Sequence, residues 1–438
     1  MLKRKIEKDI KEHLSSGNNK ALLIGGARQV GKTFIVRAVA KDLFPNFIEV
    51  NMLEDSLKGK LFEDVKTTDD FYFQLGLLAG NKMGSKKDTL VFIDEIQAYP
   101  HLLTLLKFLV DEGRFSYIAS GSQLGIALSQ TNSIPMGSIK KMRMFPLDFE
   151  EFLLANGVAE QVLLQMKSNF ENEEELSVST HEKIMDLFKK YLLVGGLPAA
   201  VNAYVESKNM TLVREIQNEI HEYYGIDASK YDEQNKLVIR KIYDMIVSNM
   251  ENKKKRIIAK NIEDKKGKVF RSYQNEFEYL TSSGIATSVQ AISNPTFPLV
   301  ETSGKNLIKL YFNDVGILTA KLFSYNVDAV LKDAKSINLG AVYETAAANE
   351  LAAHGHNLFY YDNRNKGEVD FLIDDYKSLS VLPIEVKSGR DYSIHSALNN
   401  LLKNDAYAVK KACVLSNKRE IKHKGSISYF PIYDVMFL

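Results

Sequence analysis

The run Gly26-Ala27-Arg28-Gln29-Val30-Gly31-Lys32-Thr33 fits the pattern G-x-x-x-x-G-K-[ST] in full, directly after the apolar run Ala21-Leu22-Leu23-Ile24. Few short segments constrain a fold as tightly. Glycines let the backbone turn so that its N–H groups converge on phosphate oxygens, and a helix beginning near Lys32 adds the positive end of its dipole. Residues Phe34 to Ala40 carry apolar side chains at helical spacing, so strand, loop and helix follow in the order this chemistry requires. The pattern predicts a phosphate-binding loop for a nucleoside triphosphate with Mg²⁺. Lys32 is expected to reach the β- and γ-phosphates and Thr33 to hold the metal through its hydroxyl.

A second element supports this reading. Thr89-Leu90-Val91-Phe92-Ile93 is an apolar run ending in Asp94-Glu95. A central parallel strand is buried on both faces, so acids at its C-terminal end lie where an open α/β sheet binds its ligand. Asp94 is expected to orient Mg²⁺ and its waters, and Glu95 to act as base toward the attacking water or to orient it. Acids also simply terminate strands; the upstream loop is what gives this pair its chemistry. Phe115 to Ser122 ends another strand in small polar residues, where Ser120 or Ser122 could bond the γ-phosphate or the water. A plain Gly-Ser turn is the alternative there.

At 438 residues the chain is long for one core, and length suggests about three domains. A hydrophobic share of 45% with 26% charged residues places it among ordinary globular proteins rather than disordered or fibrous chains. The net charge of +2 argues neither for nor against nucleic acid, since a basic face can hide within that balance. Cys413 is the single cysteine, which excludes an intramolecular disulfide and a cysteine metal cluster. No run approaches the roughly 18 apolar residues of a membrane span, and Met1 to Lys5 precede no apolar signal region. A cytoplasmic location without a membrane partner is the expectation.

The texture of the chain divides it into four parts. Residues 1–150 alternate strand and helix candidates, as in a parallel sheet covered on both faces. Residues 151–235 read as a helical lid, broken at Gly195-Gly196-Leu197-Pro198. Residues 236–330 carry the basic run Lys253 to Arg256, helix candidates interspersed with Lys265, Lys266, Lys268 and Arg271, and two strand-like pieces, 285–292 and 306–312. Helix, helix, hairpin is the order of a winged helix-turn-helix, whose second helix can enter a DNA major groove. A protein-contact module with solvated lysines is equally open.

Residues 331–438 hold a second constellation. A helix from Leu339 carries Glu344, and alternating strands follow in Gly367-Glu368-Val369-Asp370-Phe371 and Ile384-Glu385-Val386-Lys387-Ser388. Residues two apart on a strand share a face, so Glu385 and Lys387 project together. Asp370 on the neighbouring strand can meet Glu385 in an oxygen-ligand Mg²⁺ site, with Glu344 as a further ligand or metal-water partner. Lys387 would orient the water or neutralise charge on a scissile phosphate. This is the PD-(D/E)xK pattern of nucleases; a β-hairpin with surface charges spells the same way, and the pattern alone does not establish cleavage.

Gly-Ala-Arg-Gln-Val-Gly-Lys-Thr at 26–33, Leu90 to Gln97, Ser120 to Gln123, Pro146 to Leu153, Gly195 to Pro198, Tyr311-Phe312-Asn313-Asp314-Val315-Gly316 and the strands at 367–388 together resemble a family of prokaryotic AAA-type P-loop ATPases. Its members pair an ATPase core with a C-terminal domain of unknown function that resembles PD-(D/E)xK nucleases. Residues and resemblance together give the expectation of an α/β chain: a P-loop core, helical lid, winged-helix domain and C-terminal restriction-endonuclease-like domain, with DNA and a homo-oligomer as candidate partners. The resemblance makes residues 26–33 the nucleotide contacts, Asp94 and Glu95 the acids of hydrolysis, Ser122 a polar sensor, and Asp370, Glu385 and Lys387 the nuclease-like site. Ser138 follows Gly137 where members commonly carry arginine, so no arginine finger is assigned.

Overall fold

The computed structural model describes residues 2–53, 57–125, 137–230, 236–252, 254–263, 269–301, 307–324, 326–332, 337–389 and 393–438. They form two compact units, one of residues 3–145 with 282–284, the other of residues 146–281 with 285–438.

The first unit is built on five parallel strands: β1 Ala21–Gly25, β2 Asn46–Asn51, β3 Thr89–Asp94, β4 Ser116–Gly121 and β5 Ile139–Arg143. Their order is β2-β3-β4-β1-β5. β1 and β3 are buried along almost their whole length, as interior strands covered on both faces must be. Helices Lys32–Leu43, Thr68–Ala79 and His101–Glu112 serve as crossovers, and Phe71, Leu75, Leu102, Leu106 and Leu109 pack against Val91 and Ile93. β5, absent from the sequence reading, is an edge strand paired to β1 through Ala21↔Ile139 to Gly25↔Arg143.

The second unit contains an eight-stranded sheet. Its strands are β6 Ala286–Ile292, β7 Ile308–Phe312, β8 Phe359–Asn363, β9 Gly367–Asp375, β10 Ser380–Lys387, β11 Ala412–Ser416, β12 Lys422–Lys424 and β13 Ile427–Pro431, in the order β12-β13-β11-β10-β9-β8-β6-β7. The β6–β7 hairpin expected as a wing therefore does not stand apart. β6 runs parallel to β8, with Gln290 opposite Phe359, and extends the C-terminal sheet. Helix Leu339–Ala353 precedes β8-β9-β10, and helix Ser396–Leu402 connects β10 to its parallel neighbour β11.

The segment expected as a lid packs inside this same unit. Glu350, fully buried on helix Leu339–Ala353, accepts hydrogen bonds from the Phe149 amide at 2.7 Å and the Tyr191 hydroxyl at 2.9 Å. A buried carboxylate needs such donors, and the Phe149 amide is supplied by the N-terminus of helix Phe149–Ala155. The break at Gly195-Gly196 has a cause of the same kind. Asp314 caps helix Val315–Leu322 through the Ile317 amide and accepts from the Gly196 amide at 2.6 Å. A β-carbon on Gly195 would stand 2.1 Å from Asp314 Oδ1, so the glycine is required. Lys253, Lys265, Lys266 and Lys268, which carried much of the basic character of the winged-helix reading, lie outside the described residues.

Candidate functional site

The loop after β1 is shaped by its own backbone. Gly26 has φ 143°, and a β-carbon there would lie 2.2 Å from the Met144 carbonyl oxygen. Gly31, at φ 97°, turns the chain into helix Lys32–Leu43. Both demand glycine. Arg4, which no sequence signal singled out, donates to the carbonyls of Val30 at 2.9 Å and Phe145 at 2.7 Å and so fastens the loop. Lys32 is only 6% exposed, and its ammonium donates to the carbonyls of Gly26 at 2.9 Å and Ala27 at 2.8 Å. The charge is thus drawn into the curl of the loop.

The acids meet the loop across one intervening strand. β4 lies between β1 and β3, and its Ser120 stands beside Ile24 of β1. Thr33 Oγ1 donates to Asp94 Oδ2 at 2.7 Å, while the Ser120 hydroxyl and, at 3.1 Å, the Glu95 amide donate to Asp94 Oδ1. Both oxygens of this buried carboxylate are satisfied, which fixes it as the hub of the site. Ser120, rather than Ser122, therefore touches the acid. Buried Ser122 instead accepts a long 3.5 Å hydrogen bond from Arg28 Nε. Arg28, Gln29 and Val30 complete the span between the two glycines, with Gln29 itself at φ 66°.

Glu95 sits in a left-handed turn, φ 54° and ψ 42°, immediately after β3. A non-glycine residue there is strained, and strain of this kind gathers at functional sites. The Gln97 side-chain amide donates to Glu95 Oε2 and holds the carboxylate. Gln97 leans on Gly121 of β4, where a β-carbon would lie 2.1 Å from Gln97 Oε1. Gln97 stands two residues beyond Glu95, inside the segment that carries the resemblance, but no role is read for it there. The Thr33 hydroxyl and the Asp94 carboxylate, already adjacent, are the hard oxygen donors that Mg²⁺ takes.

In the second unit, Asp370 on β9 and Glu385 on β10 stand one step beyond the paired residues Phe371 and Ile384. Asp370 Oδ2 accepts from the Val386 amide at 2.9 Å, and Glu385 Oε1 accepts from Lys387 Nζ at 2.7 Å. Glu344 is near but otherwise engaged: Lys255 Nζ lies 2.5 Å from its Oε1, and the Tyr311 hydroxyl donates to Oε2 at 3.3 Å. Two further charges complete the cluster. Lys309 of β7, 1% exposed, pairs with Glu368 at 2.5 Å and lies 4.5 Å from the centre of the Tyr360 ring.

The electrostatics follow from burial. Burial, with Glu344 and Glu385 adding to it, pushes the Asp370 carboxyl well above its ordinary range. Burial raises Glu385 too, against the opposing pull of Lys387. For Lys309 burial favours the neutral amine, but Glu344, Glu368 and Asp370 outweigh it and its pKa is raised. The expected carboxylate trio is therefore interleaved with lysines, and among the described residues no three His, Cys, Asp or Glu side chains stand as a ready-made metal cage. Each acid had to find a donor in the buried site, and Lys255, Lys309, Tyr311, Lys387 and the Val386 amide supply them. Lys255 and Lys309 come from segments distant in sequence from the motif. Among the described residues Glu385 Oε2 is buried without a hydrogen-bond donor.

Residues 18–153 match the family model described as an AAA domain. Residues 185–326 and 339–435 match two domains of unknown function, DUF8612 and DUF4143. No curated protein matches the chain at a significant level. Solved structures that match include a Walker-type ATPase of Pyrococcus abyssi, at 16% identity over 73% of this chain and 95% of that one, with a TM-score of 0.43. The Orc1 protein of Aeropyrum pernix in complex with DNA matches at 12% identity over 76% and 93% of the two chains, TM-score 0.31. PCH-2 of C. elegans matches at 14% identity over 38% and 49%, TM-score 0.25. Among the described residues no helix is long and apolar enough to cross a membrane. The loop and its acids both lie within residues 18–153, the span similar to the AAA domain.

Proposed function

We propose that the chain binds and hydrolyses ATP in its first unit and uses the turnover to act on DNA through its second. The joining of Thr33, Ser120 and Asp94 around one buried carboxylate, with Glu95 held beside it by Gln97, carries the first half. The loop amides of residues 26–33 and the Lys32 ammonium bind the β- and γ-phosphates, which requires Lys32 to exchange the Gly26 and Ala27 carbonyls for phosphate oxygens. Thr33 and Asp94 would hold Mg²⁺, which supplies charge neutralisation on the transferring phosphoryl group. Glu95 orients the attacking water and accepts its proton. Ser122 with Arg28 senses the γ-phosphate. ATP hydrolysis that persists at the parent rate in Asp94→Ala/Glu95→Ala contradicts this assignment.

For the second unit, the order helix–β8–β9–β10–helix–β11 with Asp370, Glu385 and Lys387 at one place supports a nuclease-like reading. Glu385 Oε2, a buried acceptor without a donor, suits a cation held with Asp370 and Glu344. Helices Lys236–Glu251, Ala259–Ile262 and Gln274–Ser282 followed by the β6–β7 hairpin keep the order of a winged helix, and Lys254, Lys260 and Arg271 are exposed. Assembly into a homo-oligomer belongs to the same reading. Lys255 on Glu344 favours a second one, a nucleotide-gated switch whose nuclease-like module binds without cutting. Plasmid nicking with Mg²⁺ and ATP that disappears in Lys387→Ala supports cleavage. No nicking, with DNA binding that barely weakens as salt is raised, supports the switch.

A further inference from the structure

The acid cluster of the second unit gathers Glu344, Glu368, Asp370 and Glu385 with three lysines, and the lysines differ in how they are held. Lys309 is part of β7, fully enclosed, paired with Glu368 and packed on Tyr360. Lys387 is part of β10 and is bonded to Glu385. Lys255 alone of the three arrives on a connecting segment. That segment is laid along β7: the Ile257 amide donates to the Ile308 carbonyl at 2.9 Å, and the backbones of Arg256 and Lys309 form an isolated antiparallel β-bridge. Arg256 reaches Asp362 of β8 at 3.5 Å while Lys255 turns to Glu344.

We propose that Lys255 is a tethered counter-ion that occupies the place of a divalent cation on Glu344, so that metal enters this cluster only when the lysine withdraws. The proposal rests on the nuclease-like reading of the cluster. A hard cation needs several oxygen ligands. With Lys255 in place, Glu344 Oε1 is taken by the lysine and Oε2 by Tyr311, Asp370 Oδ2 by the Val386 amide, and Glu385 Oε1 by Lys387. Among the described residues Glu385 Oε2 is buried without a hydrogen-bond donor. Withdrawing Lys255 frees Glu344 Oε1 and removes a positive charge that opposes the incoming one. Lys255 is only 14% exposed and Glu344 7%, so water screens the contest weakly. Movement of the 255–257 segment along the β7 edge would then set whether the cluster is loaded.

The test is Mn²⁺ binding to the full chain without nucleotide, read by electron paramagnetic resonance of the free ion, in an Asp94→Asn background that keeps the loop site constant. Lys255→Met is expected to bind Mn²⁺ at least tenfold tighter than the background protein, and Lys255→Arg, which keeps the charge, to match the background. Adding Glu344→Gln to Lys255→Met is expected to abolish the gain. Because Glu344 loses its partner in the Met variant, Lys255→Gln is measured beside it, with melting curves to establish folding. Equal affinity in the background, Met and Gln proteins overturns the role of Lys255 and leaves the cluster as a metal site. Absence in every variant of a bound ion that Glu385→Gln removes overturns the metal reading itself.

Discussion

Replacing Lys32 by methionine separates two tasks that one lysine performs. Its ammonium makes two charge-assisted hydrogen bonds to the Gly26 and Ala27 carbonyls while 6% exposed. Such bonds contribute about 1.5–3 kcal/mol each, against the cost of desolvating the ammonium. Methionine keeps the bulk, removes that cost and leaves two carbonyls without their donor, so a net loss of about 1–2 kcal/mol is expected without any nucleotide. In a unit of this size that lowers the melting temperature by about 2–8 °C. The second task appears on adding ATP and Mg²⁺. At a hundredfold excess over Kd the parent gains about 2.7 kcal/mol of stability, and the variant gains none. Differential scanning fluorimetry with and without nucleotide reads both. A Lys32→Met protein that melts with the parent and still shifts with ATP refutes the placement of this lysine.

Three further outcomes follow from the geometry. Burial pushes the Asp434 carboxyl up to about 8, so the folded chain favours the protonated acid there. Stability present below the unfolded pKa near 4 is lost as pH rises through 8; Asp434→Asn is expected to be about 3–5 kcal/mol more stable than the parent at pH 9 and equal to it at pH 4, by urea denaturation. Glu95, at φ 54°, pays for its turn in strain, so Glu95→Gly is expected to be about 1 kcal/mol more stable than Glu95→Ala while both lose hydrolysis. Asp314→Ala removes the cap of helix Val315–Leu322 and strands the Gly196 amide, with an expected loss of about 2–4 kcal/mol in denaturant titration of the second unit.

What was legible in the sequence was what is local. The loop is built from residues adjacent in the chain, so its turn into helix Lys32–Leu43 and its glycines could be read locally, whereas the meeting of Thr33 with Asp94 joins residues far apart. Ser120 and Ser122 were indistinguishable because register decides which one faces Asp94, and register belongs to the sheet. β5 escaped notice for a physical reason: Ile139-Lys140-Lys141-Met142-Arg143 is an edge strand whose exposed lysines mask its apolar pattern. The β6–β7 hairpin was visible as alternation, but nothing in a hairpin announces which sheet it will extend. Lys255 and Lys309 were unreadable as partners of Glu344 and Glu368, since each pair joins residues far apart in the chain.

Glu95→Gln reaches the central claim most directly. The amide keeps the size of the side chain and removes its capacity to accept the proton of the attacking water, leaving Lys32, Thr33 and Asp94 in place. Single-turnover hydrolysis of radiolabelled ATP, with Kd measured in parallel, is expected to show binding within a few-fold of the parent and hydrolysis slowed at least about a hundredfold. Hydrolysis by Glu95→Gln at the parent rate would contradict the account.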